Sequence, residues 1–376
     1  MSGRRSERIA PLDALRSCAI LLVFLWHYMG IAGRAWLFPF GQYGWMGVDL
    51  FFVLSGCLIA GQLLKPVSAG GAPDVADFFL RRTLRVWPSY LFVVGLYFLL
   101  PGFRESPGIP PLWRFLTFTQ NFALDRARSG AFSHAWSLCI EEQFYLLLPF
   151  LVLALRRGPA RRTTTLIAVL FAAGMAARIY SWNRFVAPLQ GRSPAEIADA
   201  YDEWIYYPTY ARLDGLLVGA AVALIQRLRP APWAKLTARG GAFSAAGVLL
   251  LALAGALCHR RTSFPAAAFG FPIVALGFGC LVIAALSPKS PPTRSLLPGT
   301  RWGATLAFAL YLTHKQVLHL VRPTILSLGL DPDGFAAFAL AAAACLAASA
   351  LLYFFVERPF LLLRDRLADR RVLRPS

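Results

Sequence analysis

Long apolar runs alternate with short polar segments along the whole chain, and the period of that alternation sets the fold class. A run of about 20 apolar residues at 1.5 Å per residue makes a helix of roughly 30 Å, enough to cross a bilayer. Taken in order, the runs predict helices near 12–31, 44–64, 87–100, 133–155, 164–182, 206–225, 242–258, 266–286, 302–320 and 334–361. The expected architecture is all-α and polytopic, with about ten transmembrane helices around a polar chamber. One membrane-embedded unit covers 1–376, with tails at 1–11 and 362–376. Two long segments break the rhythm. Residues 101–132 hold the half-apolar PLWRFLTFTQNFAL, too short to cross and so read as interfacial or re-entrant. Residues 183–205 are polar and carry Glu196, Asp199, Asp202 and Glu203.

Composition agrees with the pattern. Of 376 residues, 57% are hydrophobic and 15% charged, a membrane profile rather than a soluble one. The net charge of +19 would suit nucleic acid, but its placement argues otherwise. With both termini on the cytoplasmic side, the inner segments hold about 23 Lys or Arg and the outer ones about 11. That is the positive-inside bias, and it places a multi-pass protein in the inner membrane. Arg4, Arg5 and Arg8 open the first inner segment, and the first helix reads as an uncleaved signal anchor. Six scattered cysteines show no CxxC or metal spacing and read as buried thiols, so no metal is expected.

The first helix is more than an anchor, because it carries Asp13, Arg16 and His27. Arg16 and His27 are eleven residues apart, which returns them to within roughly 20° of one face and about 16 Å apart along the axis. Ionisable groups inside a membrane are costly and mark functional sites by default. Counting in from each helix end puts His27, Asp49, Glu141, Glu142, Arg212, Asp214, His314 and Lys315 at similar outer depth, hence the chamber. His27 is the candidate general base, and Asp49 is the candidate partner fixing its tautomer. On the inner side, Arg82 and Arg85 sit three apart and suit a phosphate-rich ligand. There is no G-x-S-x-G, H-E-x-x-H, Walker loop or H-x-x-x-x-D. Those absences disfavour a serine hydrolase, a zinc peptidase, an ATP-driven pump and the soluble glycerol-phosphate type of acyltransfer.

Seven motifs in order resemble the acyltransferase-3 family of multi-pass membrane O-acyltransferases. They are Arg16-x10-His27, Gly47-Val48-Asp49 through Ser55-Gly56, and Arg82-x-x-Arg85 with Pro88. Then come His134-Ala135-Trp136-Ser137-Leu138 running to Glu141-Glu142-Gln143-Phe144-Tyr145, and Arg212-Leu213-Asp214 to Gly219. Tyr311-Leu312-Thr313-His314 and Glu357-Arg358-Pro359 close the set. Lys315-Gln316 departs from the aromatic and proline the family often has there.

The resemblance implies an acyl-CoA donor, usually acetyl-CoA, on the cytoplasmic side. It implies a carbohydrate or glycoconjugate hydroxyl as acceptor on the other. On that reading Arg16, Arg82 and Arg85 hold the donor and His27 acts as base. Arg212, His314 or a backbone N–H serves as oxyanion donor. Glu141 and Glu142 join His27 and Asp49 in the catalytic set and, with Tyr145, bind the acceptor or hold the helices in register, while Asp214 is a substrate or oxyanion group. A covalent acyl-His27 intermediate stays open. A separate extracytoplasmic transferase is the expected partner for any second step, alongside membrane lipid, and nucleic acid is not a partner. The competing readings are a membrane carrier of acyl groups or glycan precursors, and a scaffold or receptor without chemistry. A carrier consumes no acetyl-CoA and leaves no O-acetylated product, and a scaffold tolerates loss of the Arg16/His27 stripe.

Overall fold

The computed structural model describes residues 10–31, 38–155, 160–288 and 299–372. Arg4, Arg5 and Arg8 lie outside the described residues. Long helices follow in chain order: α1 (Ala10–Ile31), α2 (Met46–Ser68), α3 (Val75–Leu99), α4 (Trp136–Leu155) and α5 (Ala160–Ser181). Then come α6 (Asp214–Leu228), α7 (Gly240–Leu257), α8 (Phe271–Ala285), α9 (Thr300–Ser327), α10 (Phe335–Leu352) and α11 (Arg358–Val372). The described residues contain no strand. Seven stretches are long and apolar enough to cross a membrane: α1, α2, α4, α5, α7, α8 and the α10–α11 rod. This is a multi-pass membrane protein.

Three of the ten expected spans do not meet that standard, each for a visible reason. α3 starts at Val75, twelve residues before its apolar run, because Asp74 caps it by accepting from Asp77 N–H at 2.8 Å. Arg81, Arg82 and Arg85 therefore ride inside the helix rather than ahead of it. α6 starts at Asp214 and has only 15 residues. The stretch before it, expected to be helical, is broken at Pro208, which cannot donate a backbone hydrogen bond. α9 is long, but His314, Lys315 and Arg322 interrupt its apolar character.

α2 is the middle of the bundle and packs against α1, α4, α6 and α8. Its apolar window is 78% buried, whereas that of α7 is 11% buried and faces outward with Leu249 and Leu253 exposed. The α2–α6 contact is backbone against backbone. A Cβ on Gly219 would collide with the Val53 carbonyl, one on Gly56 with the Leu216 carbonyl, and one on Gly215 with the Phe52 side chain. Gly215-x-x-x-Gly219 is the small-residue spacing that lets membrane helices approach closely without a hydrophobic driving force.

Segment 101–132 folds back over α3. Tyr90 stacks on Phe118 at 4.7 Å and Tyr97 stacks on Phe132 at 4.5 Å. Phe118 and Phe132 adopt left-handed φ of 52° and 57° and are buried, and Ala123, with φ of 47°, turns the exposed part of the segment. The segment is pinned by amides. Asn121 Nδ2 donates to Tyr207 O (3.1 Å), Gln143 Nε2 donates to Phe118 O (2.7 Å), and Thr209 Oγ1 donates to Gln143 Oε1 (2.6 Å). Four of the cysteines are buried as thiols, but Cys18 is exposed on α1 and Cys280 is half-buried.

Gly219→Ala is expected to lower the thermal midpoint in detergent by several degrees, since overpacking costs about 1–3 kcal/mol. Gly95→Ala, where a Cβ meets open space, is expected to be neutral or stabilising. Equal midpoints for the two variants would remove the close-contact account of α2 and α6.

Candidate active site

The polar side chains grouped by depth do not form one chamber. They separate into three places.

The first is a cavity of about 470 Å³ at the end of the bundle where α1 finishes and α2 and α4 begin. His27, His134, Tyr311 and Lys315 line it, with Arg126, Asp202 and Arg261 from the connecting segments. His314 stands behind His27. Its Nδ1 lies 2.9 Å from both the Leu310 and Tyr311 carbonyls. Carbonyls only accept, so Nδ1 carries the hydrogen, and in a neutral ring Nε2 is then an acceptor. That Nε2 lies 3.1 Å from His27 Nδ1, which also lies 2.9 Å from the Val23 carbonyl. His27 Nδ1 therefore carries its hydrogen, and the lone pair falls on Nε2 of a ring lining the cavity. The proton placement follows from the network.

His134 adds a third imidazole, with ring centroids 5.1 Å from His314 and 6.1 Å from His27. It is buried, and neither nitrogen makes a well-formed hydrogen bond, although the Leu312 carbonyl faces the ring. Among the described residues, no three His, Cys, Asp or Glu side chains are placed to hold a metal ion. At the mouth, Arg126 and Arg261 share Asp202, at 3.3 and 2.9 Å. Burial works against the Arg261 charge, but the Asp202 carboxylate together with Tyr206, Tyr201 and Tyr207 outweighs it and holds this guanidinium above its ordinary range.

The second place is a polar cluster further along α4. Glu141 accepts from Ser55 Oγ at 2.7 Å and Tyr145 Oη at 2.5 Å, and Glu142 accepts from Trp87 Nε1 at 3.2 Å. The Arg82 guanidinium lies 5.7 Å over the Tyr145 ring, with its Nε buried and unpartnered. Ser137 Oγ and Tyr311 Oη, 2.7 Å apart, bridge from this cluster toward the cavity, and Tyr311 also donates to the His134 carbonyl. Ser137 is four residues before Glu141 on α4, so polar groups recur along that helix from the cavity wall to the cluster beside Arg82.

The third place is structural. Asp49 does not orient His27, because Arg212 takes it: Nη2 lies 3.0 Å from Asp49 Oδ1 and 3.1 Å from Oδ2. Asp214 is likewise taken by Arg178, at 2.6 Å. All four side chains are at most 3% exposed. Arg212 also lies over Phe271 (3.8 Å) and Tyr206 (4.9 Å), and no part of it lines the cavity. It is therefore excluded as oxyanion donor, and His314 is excluded because an acceptor nitrogen faces His27.

Of the arginines expected to hold a donor, Arg82 keeps an unsatisfied N–H and so fits an anionic ligand. Arg85 is committed to the buried Glu357 at 2.7 Å, and Arg16 lies 3.3 Å from Asp13. Sequence reasoning placed Lys315 in the expected chamber without a chemical role and gave none to His134, Ser55, Arg178 or Glu105. His134 and Ser55 stood inside motifs already quoted, and their chemistry was the available signal. Arg178 carried no signal.

The chain belongs to the acyltransferase-3 family: the family model, an acyltransferase domain, matches residues 9–354. Its relatives include the peptidoglycan O-acetyltransferase OatA of Listeria monocytogenes, 26% identical over 86% of this chain and 51% of the relative. The putative peptidoglycan O-acetyltransferase YrhL of Bacillus subtilis is 27% identical over 97% of this chain and 56% of the relative. The O-acetyltransferase OatA of Staphylococcus aureus is 28% identical over 58% of this chain and 35% of the relative. The chain spans about half the length of the first two. No solved structure matches it.

Arg212→Met is expected to cost about 3–5 kcal/mol, because it strands the buried Asp49 carboxylate. Arg212→Met with Asp49→Leu is expected to recover most of that in thermal midpoint. A double variant no more stable than the single one would contradict a structural role for the pair.

Proposed function

We propose that this chain is a membrane O-acetyltransferase moving an acetyl group from acyl-CoA to a hydroxyl of a glycan. The names of its relatives point to peptidoglycan as the acceptor class. The observation that carries the reading is His27: its Nδ1–H is held by Val23 and His314, so its free lone pair belongs to a ring lining the cavity.

A thioester donor supplies an activated acyl carbon. The chain's residues do the rest. His27 Nε2 takes the proton of the acceptor hydroxyl, whose oxygen bonds to the acyl carbon; the C–S bond breaks, and the proton leaves with the thiolate. His314 keeps the His27 tautomer fixed, the place the sequence offered to Asp49. Arg82 binds donor phosphate, and the Ser55/Glu141/Tyr145 cluster lines the way from it to the imidazoles. Arg85 serves through Glu357 to tie α3 to the α10–α11 turn. The proposed topology puts Arg82 and both chain ends on the cytoplasmic side of the inner membrane, with the cavity outside. The described chain acts as one membrane-embedded unit.

The carrier reading remains distinct in outcome. In liposomes holding the purified protein, His27→Ala is expected to lower acetyl transfer from acetyl-CoA at least 100-fold. Glycan mass spectrometry is expected to show O-acetyl groups that vanish with the same change. Transfer near the wild-type rate in His27→Ala would sink the base assignment, and intact acetyl-CoA with the wild type would favour a carrier.

A further inference from the structure

Acyl transfer puts negative charge on the acyl oxygen, and the largest single contribution to such catalysis comes from a donor preset at that oxygen. Arg212, which does not reach the cavity, and His314, whose acceptor nitrogen faces His27, are ruled out as that donor. Lys315 remains. It follows His314 on α9 and lines the His27 cavity beside Ser133 and His134. It also lines an adjoining cavity of about 300 Å³ with Arg126, His319 and Arg322.

An ammonium has three N–H donors and no acceptor, so its role does not depend on a tautomer. One goes to Ser133 Oγ at 2.8 Å and another to Glu105 Oε1 at 3.2 Å. Glu105 is itself fixed, accepting from Tyr97 Oη at 2.7 Å and from the Phe132 N–H at 3.1 Å. The ammonium is therefore anchored on two sides, and its third N–H has no partner among the described residues. Fixed donors with one direction left open are what oxyanion stabilisation requires, since nothing has to reorganise as the charge develops.

We propose that Lys315 donates its third N–H to the acyl carbonyl oxygen as that oxygen becomes an oxyanion. The inference rests on the acyl-transfer reading. The hydroxyl oxygen bonds to the acyl carbon while His27 Nε2 takes its proton, and the C=O pair moves onto the oxygen facing Lys315. When that pair returns, the C–S bond breaks and the proton passes from His27 to the thiolate. Lys315 hydrogen-bonds throughout and transfers no proton.

The test uses the full chain in proteoliposomes, with radiolabelled acetyl-CoA and soluble peptidoglycan glycan strands. Lys315→Met is expected to lower kcat roughly 100- to 1,000-fold with little change in KM for acetyl-CoA. Lys315→Arg is expected to recover part of it. The purely structural alternative is that Lys315 only neutralises Glu105. In that case Lys315→Met with Glu105→Gln restores turnover, and such restoration overturns the proposal. The expected result is that the double variant regains thermal stability but stays as slow as Lys315→Met. A wild type that transfers nothing, or an active His27→Ala, overturns the acyl-transfer reading itself. An active wild type with an unimpaired Lys315→Met overturns this inference alone.

Discussion

The buried pair of Arg212 and Asp49 is the constraint on which the rest of the bundle depends. Two charges out of water are costly unless they are paired. Here Asp49 opens α2, where a carboxylate also meets the positive end of the helix. Arg212 sits just before α6 and lies over rings from α2, α4, the 202–207 segment and α8: Phe52, Trp136, Tyr206 and Phe271. The pair holds α2 close to the start of α6, and the glycines of α2 and α6 allow that approach. The second pair, Arg178 with Asp214, fastens α5 to the same point. Specificity of assembly is what these charges supply.

With that end of the bundle fixed, its neighbours become a site. α1 packs against α2 and α9, which brings His27 beside His314. The start of α4 delivers Ser133 and His134 to the same cavity. The folded-back 101–132 segment delivers Glu105, and so fixes the ammonium of Lys315. The carboxylates that looked suited to the imidazoles are absent from this place. Asp49 and Asp214 are held by arginines, and Glu141 and Glu142 belong to the cluster beside Arg82. The His27 imidazole is therefore oriented by the Val23 carbonyl and a second imidazole.

Much of the fold was legible in the sequence. Apolar runs located most of the long helices to within a few residues, because lipid demands that backbone polar groups be satisfied inside each helix, but α9 runs on to Ser327 and α11 to Val372, through residues expected as loop and tail. The errors fell where polar chemistry overrides that rule. α3 began early because Asp74 caps a basic turn, and α6 began late because the chain around Pro208 is irregular. The candidate site was legible as residue types and depths. His27 and His314 were both named, but which carboxylate met which base was not readable, since depth along a helix says nothing about azimuth once helices rotate against one another.

By itself, the sequence determined the all-helical membrane class, the polar stripe of α1 and the order of motifs that marks the acyltransferase-3 family. Those follow from local pattern: run length, spacing on one helix, and residue type. The tertiary structure alone decided the partners. It gave Asp49 to Arg212, His314 to His27 and Glu105 to Lys315, across 163, 287 and 210 positions of chain. Pairings over such separations are set by helix rotation and close backbone approach, which a linear pattern does not encode.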